Sequence, residues 1–204
     1  MGSKERKERA SEDLKQKILD AAMQILVSEG YRNLSIRKIC ARIEYSPAAI
    51  YHYFKDKEEI VSRIVEDGYG GILENLNKTR MDPENPEATF LSMSEAYVDL
   101  VMGNPNVFRA VLLEDIGEAS RKVWMLDEGI TGKRDSIAAL SRMIGVFVAN
   151  GTFKAVDLEM ASLSIWCALH GLVVRLLVEA PVPAVLRQKL LKQIVELLVG
   201  GLRK

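Results

Sequence analysis

Apolar residues recur at intervals of three and four along nearly the whole chain. No run alternates with period two, and no strand–turn–strand pattern is present, so the fold class expected is all-α. Leu14, Ile18, Ala21, Ala22, Ile25 and Leu26 mark one stripe of an amphipathic helix that Gly30 would end as a C-terminal cap residue. Ser35 starts a second, short helix with Ile36, Ile39, Cys40 and Ile43 facing inward, its hydroxyl placed to accept a free N–H of the first turn. Ser46 followed by Pro47 starts a third: a hydroxyl N-cap, then a proline where its missing N–H costs nothing. Asp56 opens a fourth, with Glu59 three residues on in a capping-box arrangement.

Further along, Gly68, Gly70 and Gly71 are expected to weaken or kink this fourth helix. "RMDPENPEAT", residues 80–89, is the clearest loop and the expected seam between two domains, 12–72 and 80–204. Later helices are expected over 84–103 and 105–116, over 118–150 with a break near 129–132, and over 157–180 and 183–199.

The stretch "SPAAIYHYFKDKEEI", residues 46–60, crowds rings into a few turns and then switches to charge. If Ile50 and Phe54, four apart, face the core with Ile39 and Ile43, then Ala48, Ala49, Tyr51, His52 and Tyr53 cannot all be inside, because one stripe covers part of a helix's circumference. Several rings must face out. Two short helices and a tight turn make a helix-turn-helix, whose second helix fits a major groove, although that spacing alone equally fits a plain helical hairpin. Small Ala48 and Ala49 permit close approach to base edges, while tyrosine hydroxyls and His52 can reach phosphates or bases.

Composition narrows the class. Of 204 residues 48% are hydrophobic and 27% charged. The expectation is a cytoplasmic, globular protein with no membrane partner. The opening "MGSKERKERASEDLK" has no apolar core of a secretory signal. Cys40 and Cys167 lie far apart outside any CxxC pattern; both are expected as small buried hydrophobes, and neither a zinc site nor a cofactor is expected. Residues 1–63 hold 13 Lys/Arg against 10 Asp/Glu in a chain of formal net charge +0, so the front is mildly basic, which permits a nucleic-acid partner.

Over residues 12 to about 72, "LDAAMQILVSEGYRNLSIRKICARIEYSPAAIYHYFKDKEEI" resembles the tetracycline-repressor (TetR) family of bacterial transcription regulators. The resemblance lies in a first helix ending in Gly-Tyr, a Ser start, and above all "IYHYFKDKEEI". It implies a homodimer on double-stranded DNA. Its DNA contacts fall on Ser35, Arg37 and Lys38, on Tyr45, Ser46, Pro47, Ala48 and Ala49, on Tyr51, His52 and Tyr53, and on Lys57. Arg37 is the favoured base reader and Lys57 the phosphate grip. Glu44 departs from the family pattern by replacing the turn glycine; a non-glycine residue at positive φ costs on the order of 1 kcal/mol. The arm Lys4 to Arg9, with interleaved glutamates, is expected to be a disordered solvated tail.

Beyond residue 80 the likeness is looser. "WCALHGLVVRLL" resembles the Trp-x-x-x-His-Gly helix of a subset of these regulators. Residues 160–178 are apolar around most of their girth and the last helix has a broad apolar stripe, so two helices from each of two chains would form a four-helix interface. Gly171, Val174, Leu190, Ile194 and Leu197 are the expected contacts. Tyr97, Phe108, Trp124, Met125, Met143, Phe147, Trp166 and His170 are candidates to line a cavity for a small hydrophobic effector, with plain core packing the alternative for each. The expected function is a ligand-responsive repressor on a palindromic operator, not an enzyme. The rival is a small-molecule-binding or enzymatic helical protein whose only chemical pair is Cys167 and His170.

Overall fold

The computed structural model describes residues 3–113, 125–179 and 181–204. Among them every regular element is a helix, and one isolated antiparallel bridge joins Phe153 to Arg203. The order is α1 (Ser3–Glu29), a 3-10 turn (Tyr31–Asn33), α2 (Ile36–Ile43), α3 (Pro47–Tyr51), α4 (Lys57–Lys78), α5 (Pro86–Gly103), α6 (Pro105–Leu112), a second 3-10 turn (Ile130–Gly132), α7 (Asp135–Ala149), α8 (Leu158–Val178) and α9 (Ala184–Leu202).

Two compact units result. The first comprises Met1–Gly68 with Asn106–Val123, the second Tyr69–Pro105 with Trp124–Lys204. The division by packing therefore falls inside α4, not in the proline-rich loop of residues 80–89. Its glycines do not break the helix, which runs unbroken from Lys57 to Lys78. A Cβ at Gly68 or Gly70 would meet nothing, so no close approach demands these glycines. Each costs the helix about 1 kcal/mol relative to alanine. Burial of Ile60, Val61, Ile64, Val65 and Ile72 along the same helix outweighs that cost.

In the first unit the α1 stripe is as spaced: Ile18, Ala22 and Leu26 are fully buried, and Gly30 ends the helix at φ 79°. The arm of residues 4–9 is not a disordered tail, since α1 begins at Ser3. Its Glu, Lys and Arg residues are good helix formers, and Glu5 with Arg9 stands in the favourable i,i+4 order. Lengthening a nucleated helix is far easier than starting one.

In the second unit α8 is the centre, packed against α5, α7 and α9. By length and apolarity it is the one helix among the described residues that could cross a membrane, but half of its most apolar stretch is buried in the protein. Phe90, Phe147 and Phe153 form a tilted cluster, with ring centroids 5.0 to 6.2 Å apart. Glu159, in the first turn of α8, accepts the Thr131 hydroxyl at 2.7 Å and the N–H groups of Thr131 and Gly129. These bonds, the Thr131 hydroxyl first, hold its carboxyl below the usual carboxylate range and tie the second 3-10 turn to α8.

Glu44 closes α2 in the left-handed region, φ 59° and ψ 38°. Glu44→Gly should stabilise the protein by about 0.5–1 kcal/mol, the left-handed cost less the extra backbone entropy of glycine. Thermal or urea unfolding checks the sign; a destabilised variant would mean that the Glu44 side chain holds the turn.

Candidate nucleic-acid interface

Local chemistry sets the helix-turn-helix before any ligand is considered. The Ser35 hydroxyl accepts the Lys38 N–H at 3.3 Å and so caps α2, whose Ile39 and Cys40 are buried. After the left-handed turn at Glu44, the Ser46 hydroxyl accepts the Ala49 N–H at 3.4 Å and Pro47 takes the first helical position. Beyond Tyr51 the N–H groups of Tyr53 and Phe54 both donate to the Ile50 carbonyl, at 2.9 and 3.0 Å, which coils the chain back into the core.

Ile50 and Phe54 are the anchors, at 0% and 4% exposure. Their burial turns the remaining rings out: Tyr51 is 57% exposed and Tyr45 42%. His52 is exposed, and Tyr53 is half-buried with its ring edge-on to His52 at 5.1 Å. Ser46, Pro47 and Ala48 are exposed and Ala49 is half-buried. A five-residue helix thus presents small side chains and hydroxyl-bearing rings on a backbone held by two buried plugs. That is a surface for reading a groove edge, with donors and acceptors in place and little bulk.

The cations are less alike than their spacing suggests. Arg37 is exposed on α2. Lys38, also exposed, forms an ion pair with Glu29 at the end of α1, and that hydrogen bond lowers the Glu29 carboxyl from its ordinary range. Lys57 is half-buried, its ammonium 4.2 Å above the centre of the Tyr31 ring. Sequence reasoning missed Glu29 as the partner of Lys38, 9 positions away, and Tyr31 as the common partner of Lys57 and of Glu58, the latter 27 positions away, because no periodicity links such separations.

Two further features lie in the second unit. The first is a small apolar cavity of about 20 Å³ lined by Ile72, Leu76, Met93, Tyr97, Ser136, Leu140, Trp166 and Leu169. Of the cavity candidates, Tyr97 and Trp166 line it. His170 meets both: its Nδ1 is 3.0 Å from the Tyr97 hydroxyl, and its ring stacks on Trp166 at 5.5 Å. Met125 and Met143 are buried, Phe147 belongs to the phenylalanine cluster, Phe108 is buried in α6 within the first unit, and Trp124 lies outside the described residues. The second feature is an apolar face on α8 and α9, with Met160, Val178, Val185, Leu186, Leu190 and Leu197 exposed. Val174 and Ile194 are half-buried, and nothing stands within 4 Å of a Cβ built on Gly171. Cys167 is exposed rather than buried, because α8 is too round in its apolarity for the sequence to say which side faces in.

Burial pushes the His170 imidazole below its ordinary 6.5. The unfolded chain therefore takes up a proton first as pH falls, and stability, complete above 6.5, declines below it until the folded imidazole also titrates. Melting curves at pH 7.5 and 5.5 should show a steeper acid loss for the native chain than for His170→Gln. Equal slopes would place the titration elsewhere.

Capped α2, a left-handed turn and a proline-started helix with bare rings define a helix-turn-helix DNA-binding protein. Residues 18–64 match the family described as bacterial regulatory proteins, tetR family. That match spans α2 and α3, and the chain is similar to DNA-binding transcription regulators of that family. It is 24% identical over 175 residues to an uncharacterized HTH-type transcriptional regulator, YobS, of Bacillus subtilis (strain 168), covering 77% of this chain and 91% of that one. It is also 24% identical over 97 residues to the fatty acid metabolism regulator protein of the same organism, spanning 48% of this chain and half (50%) of that relative. A bacterial regulatory protein in the tetR family from Rhodococcus RHA1 shares the fold with a TM-score of 0.67 at 22% identity, over 93% of this chain and 96% of that one.

Proposed function

We propose that the protein is a homodimeric, ligand-responsive repressor in which α3 of each protomer reads one half of a palindromic operator. The observation that carries this reading is the outward set of Tyr45, Tyr51 and His52 on and beside α3, a helix anchored by buried Ile50 with Phe54 just beyond it. An unpartnered surface of that kind suits a duplex, and twofold symmetry in the protein matches a palindrome in the site. The exposed apolar face of α8 and α9 supports dimerisation there, with Gly171, Val174, Leu190, Ile194 and Leu197 at its centre.

The cavity beside Tyr97 and Trp166 supports an apolar effector that meets one polar handle, the Tyr97–His170 pair. A space of about 20 Å³ admits no such molecule unless the helices around it move. Ile72 and Leu76 line the cavity from α4, so an effector there presses on that helix. Such an effector regulates only if it binds the two arrangements unequally. The relative whose name concerns fatty acid metabolism points to an acyl chain as the effector, which the largely apolar lining of this cavity suits.

Duplexes selected by the purified protein from a random pool, then titrated with salt in a gel shift, test the reading. Sequence-specific binding with a steep fall of log K against log salt is expected. No enrichment, or binding indifferent to salt, would refute it.

A further inference from the structure

We infer that Tyr31 is a positioning residue for DNA binding: its ring face holds the Lys57 ammonium while its hydroxyl holds Glu58, so that a cation rather than a carboxylate meets phosphate at the start of α4. The inference rests on the reading that Lys57 touches the duplex.

Tyr31 opens the 3-10 turn that follows Gly30. Its hydroxyl donates to Glu58 Oε1 at 3.0 Å, and Lys57 Nζ stands 4.2 Å above its ring centre. Three carboxylates, Asp56, Glu58 and Glu59, lie beside Lys57 in the chain, with exposed Lys55 the other cation there. The structure occupies each carboxylate. Asp56 accepts the Glu59 N–H at 2.8 Å, and Glu59 reaches back to the Lys55 N–H at 2.6 Å. These two serve as caps on the helix end. Glu58 has no such local role, and the Tyr31 hydroxyl, 27 residues away in the chain, takes it up.

A lysine head on a flexible stem loses rotamer freedom when it grips a phosphate. Stacking on Tyr31 removes part of that freedom beforehand, and the ring's negative face tolerates the ammonium without neutralising it as a carboxylate would. One tyrosine thus performs two tasks. The bland alternative is that Tyr31 only packs the turn against α4.

The test uses the full-length protein, an operator duplex selected as above, and fluorescence anisotropy across a salt series for Tyr31→Leu, Tyr31→Phe, Lys57→Gln and the Leu/Gln double variant. Lys57→Gln should lower affinity and reduce the salt slope by about 0.9 per protomer, or about 1.8 for the dimer. Tyr31→Leu should weaken binding roughly two- to fivefold per half-site, the size of one exposed cation–π contact. Tyr31→Phe, which keeps the ring face but releases Glu58, should lose less than Tyr31→Leu; a loss as large would strike the part played by the ring, and no loss the part played by the hydroxyl. On the Lys57→Gln background, Tyr31→Leu should cost clearly less than on the native one. If Lys57→Gln changes neither affinity nor slope, the contact at α4 is wrong and the inference goes with it. If Lys57→Gln acts but Tyr31→Leu does not, or if its loss persists undiminished in the double variant, the DNA reading stands and the positioning role falls. Should Tyr31→Leu melt early, NMR of the native protein decides: the ring must shift the Lys57 ε-methylene upfield, and an unshifted resonance overturns the inference.

Discussion

A Leu190→Glu, Leu197→Glu double variant is expected to be monomeric and to lose operator affinity by at least about a hundredfold. Both leucines lie on the outer side of α9, 42% and 68% exposed, so neither supports the fold as a fully buried residue would. Burying a leucine contributes about 1.5–3 kcal/mol. Roughly half of each side chain remains to be covered, and twofold symmetry uses each residue twice, so the pair contributes on the order of 3–6 kcal/mol to dimerisation. That is a factor of about 10² to 10⁴ in the dimer dissociation constant, before the cost of forcing four carboxylates together. Operator binding falls with it, because a lone recognition helix forfeits the second half-site. Sedimentation against concentration, with circular dichroism to establish that the helices persist, checks both parts. A dimer that survives would move the interface to another face.

Arg37→Ala is expected to weaken binding to the selected duplex by roughly 5- to 150-fold per half-site, the 1–3 kcal/mol of one bidentate guanine contact, and to relax the base preference at one position of each half-site. Binding to random DNA should change far less. Arg37→Lys should recover little, since an ammonium lacks the planar fork. The choice of Arg37 over its neighbour has a structural reason: Lys38 must leave Glu29 before it can bind anything, whereas Arg37 stands exposed one residue earlier on the same helix. Equal losses on selected and random DNA would assign Arg37 to phosphate instead.

The helix starts were legible because their signals are short. Ser35, Ser46 with Pro47, and Asp56 with Glu59 each place a hydroxyl or carboxylate two to four residues from the N–H group it serves, and all three caps form. The turn at Glu44 was not settled in advance: a residue other than glycine there leaves open whether the turn changes or the left-handed cost is carried, and the structure carries it, at φ 59°. The glycines of α4 argue for a weakened or kinked helix; the helix nonetheless continues through them, because side-chain burial along it exceeds their propensity cost, a balance that no local window contains. Cys167 misled, since on a helix apolar nearly all round nothing local marks the face that remains outside.

The cavity was half legible. Methionines and aromatics at helical spacing nominate a lining, but Tyr97 and His170 are 73 positions apart, and Phe147, equally eligible by type, went to a cluster with Phe90 and Phe153 instead. The same holds at the DNA-binding end, where Tyr31 and Glu29 act on Lys57 and Lys38 from other elements.

By itself the sequence determined the all-helical class, the capped two-helix reader and the requirement that some rings beside Ile50 stand outside, because periodicity and capping act within a turn or two of chain. Tertiary structure alone decided which lysine is paired and which is stacked, where the two compact units divide, which face of α8 is bare and which aromatic residues surround a space. Those outcomes depend on which distant surfaces exclude water together, and that competition is settled only when the whole chain packs.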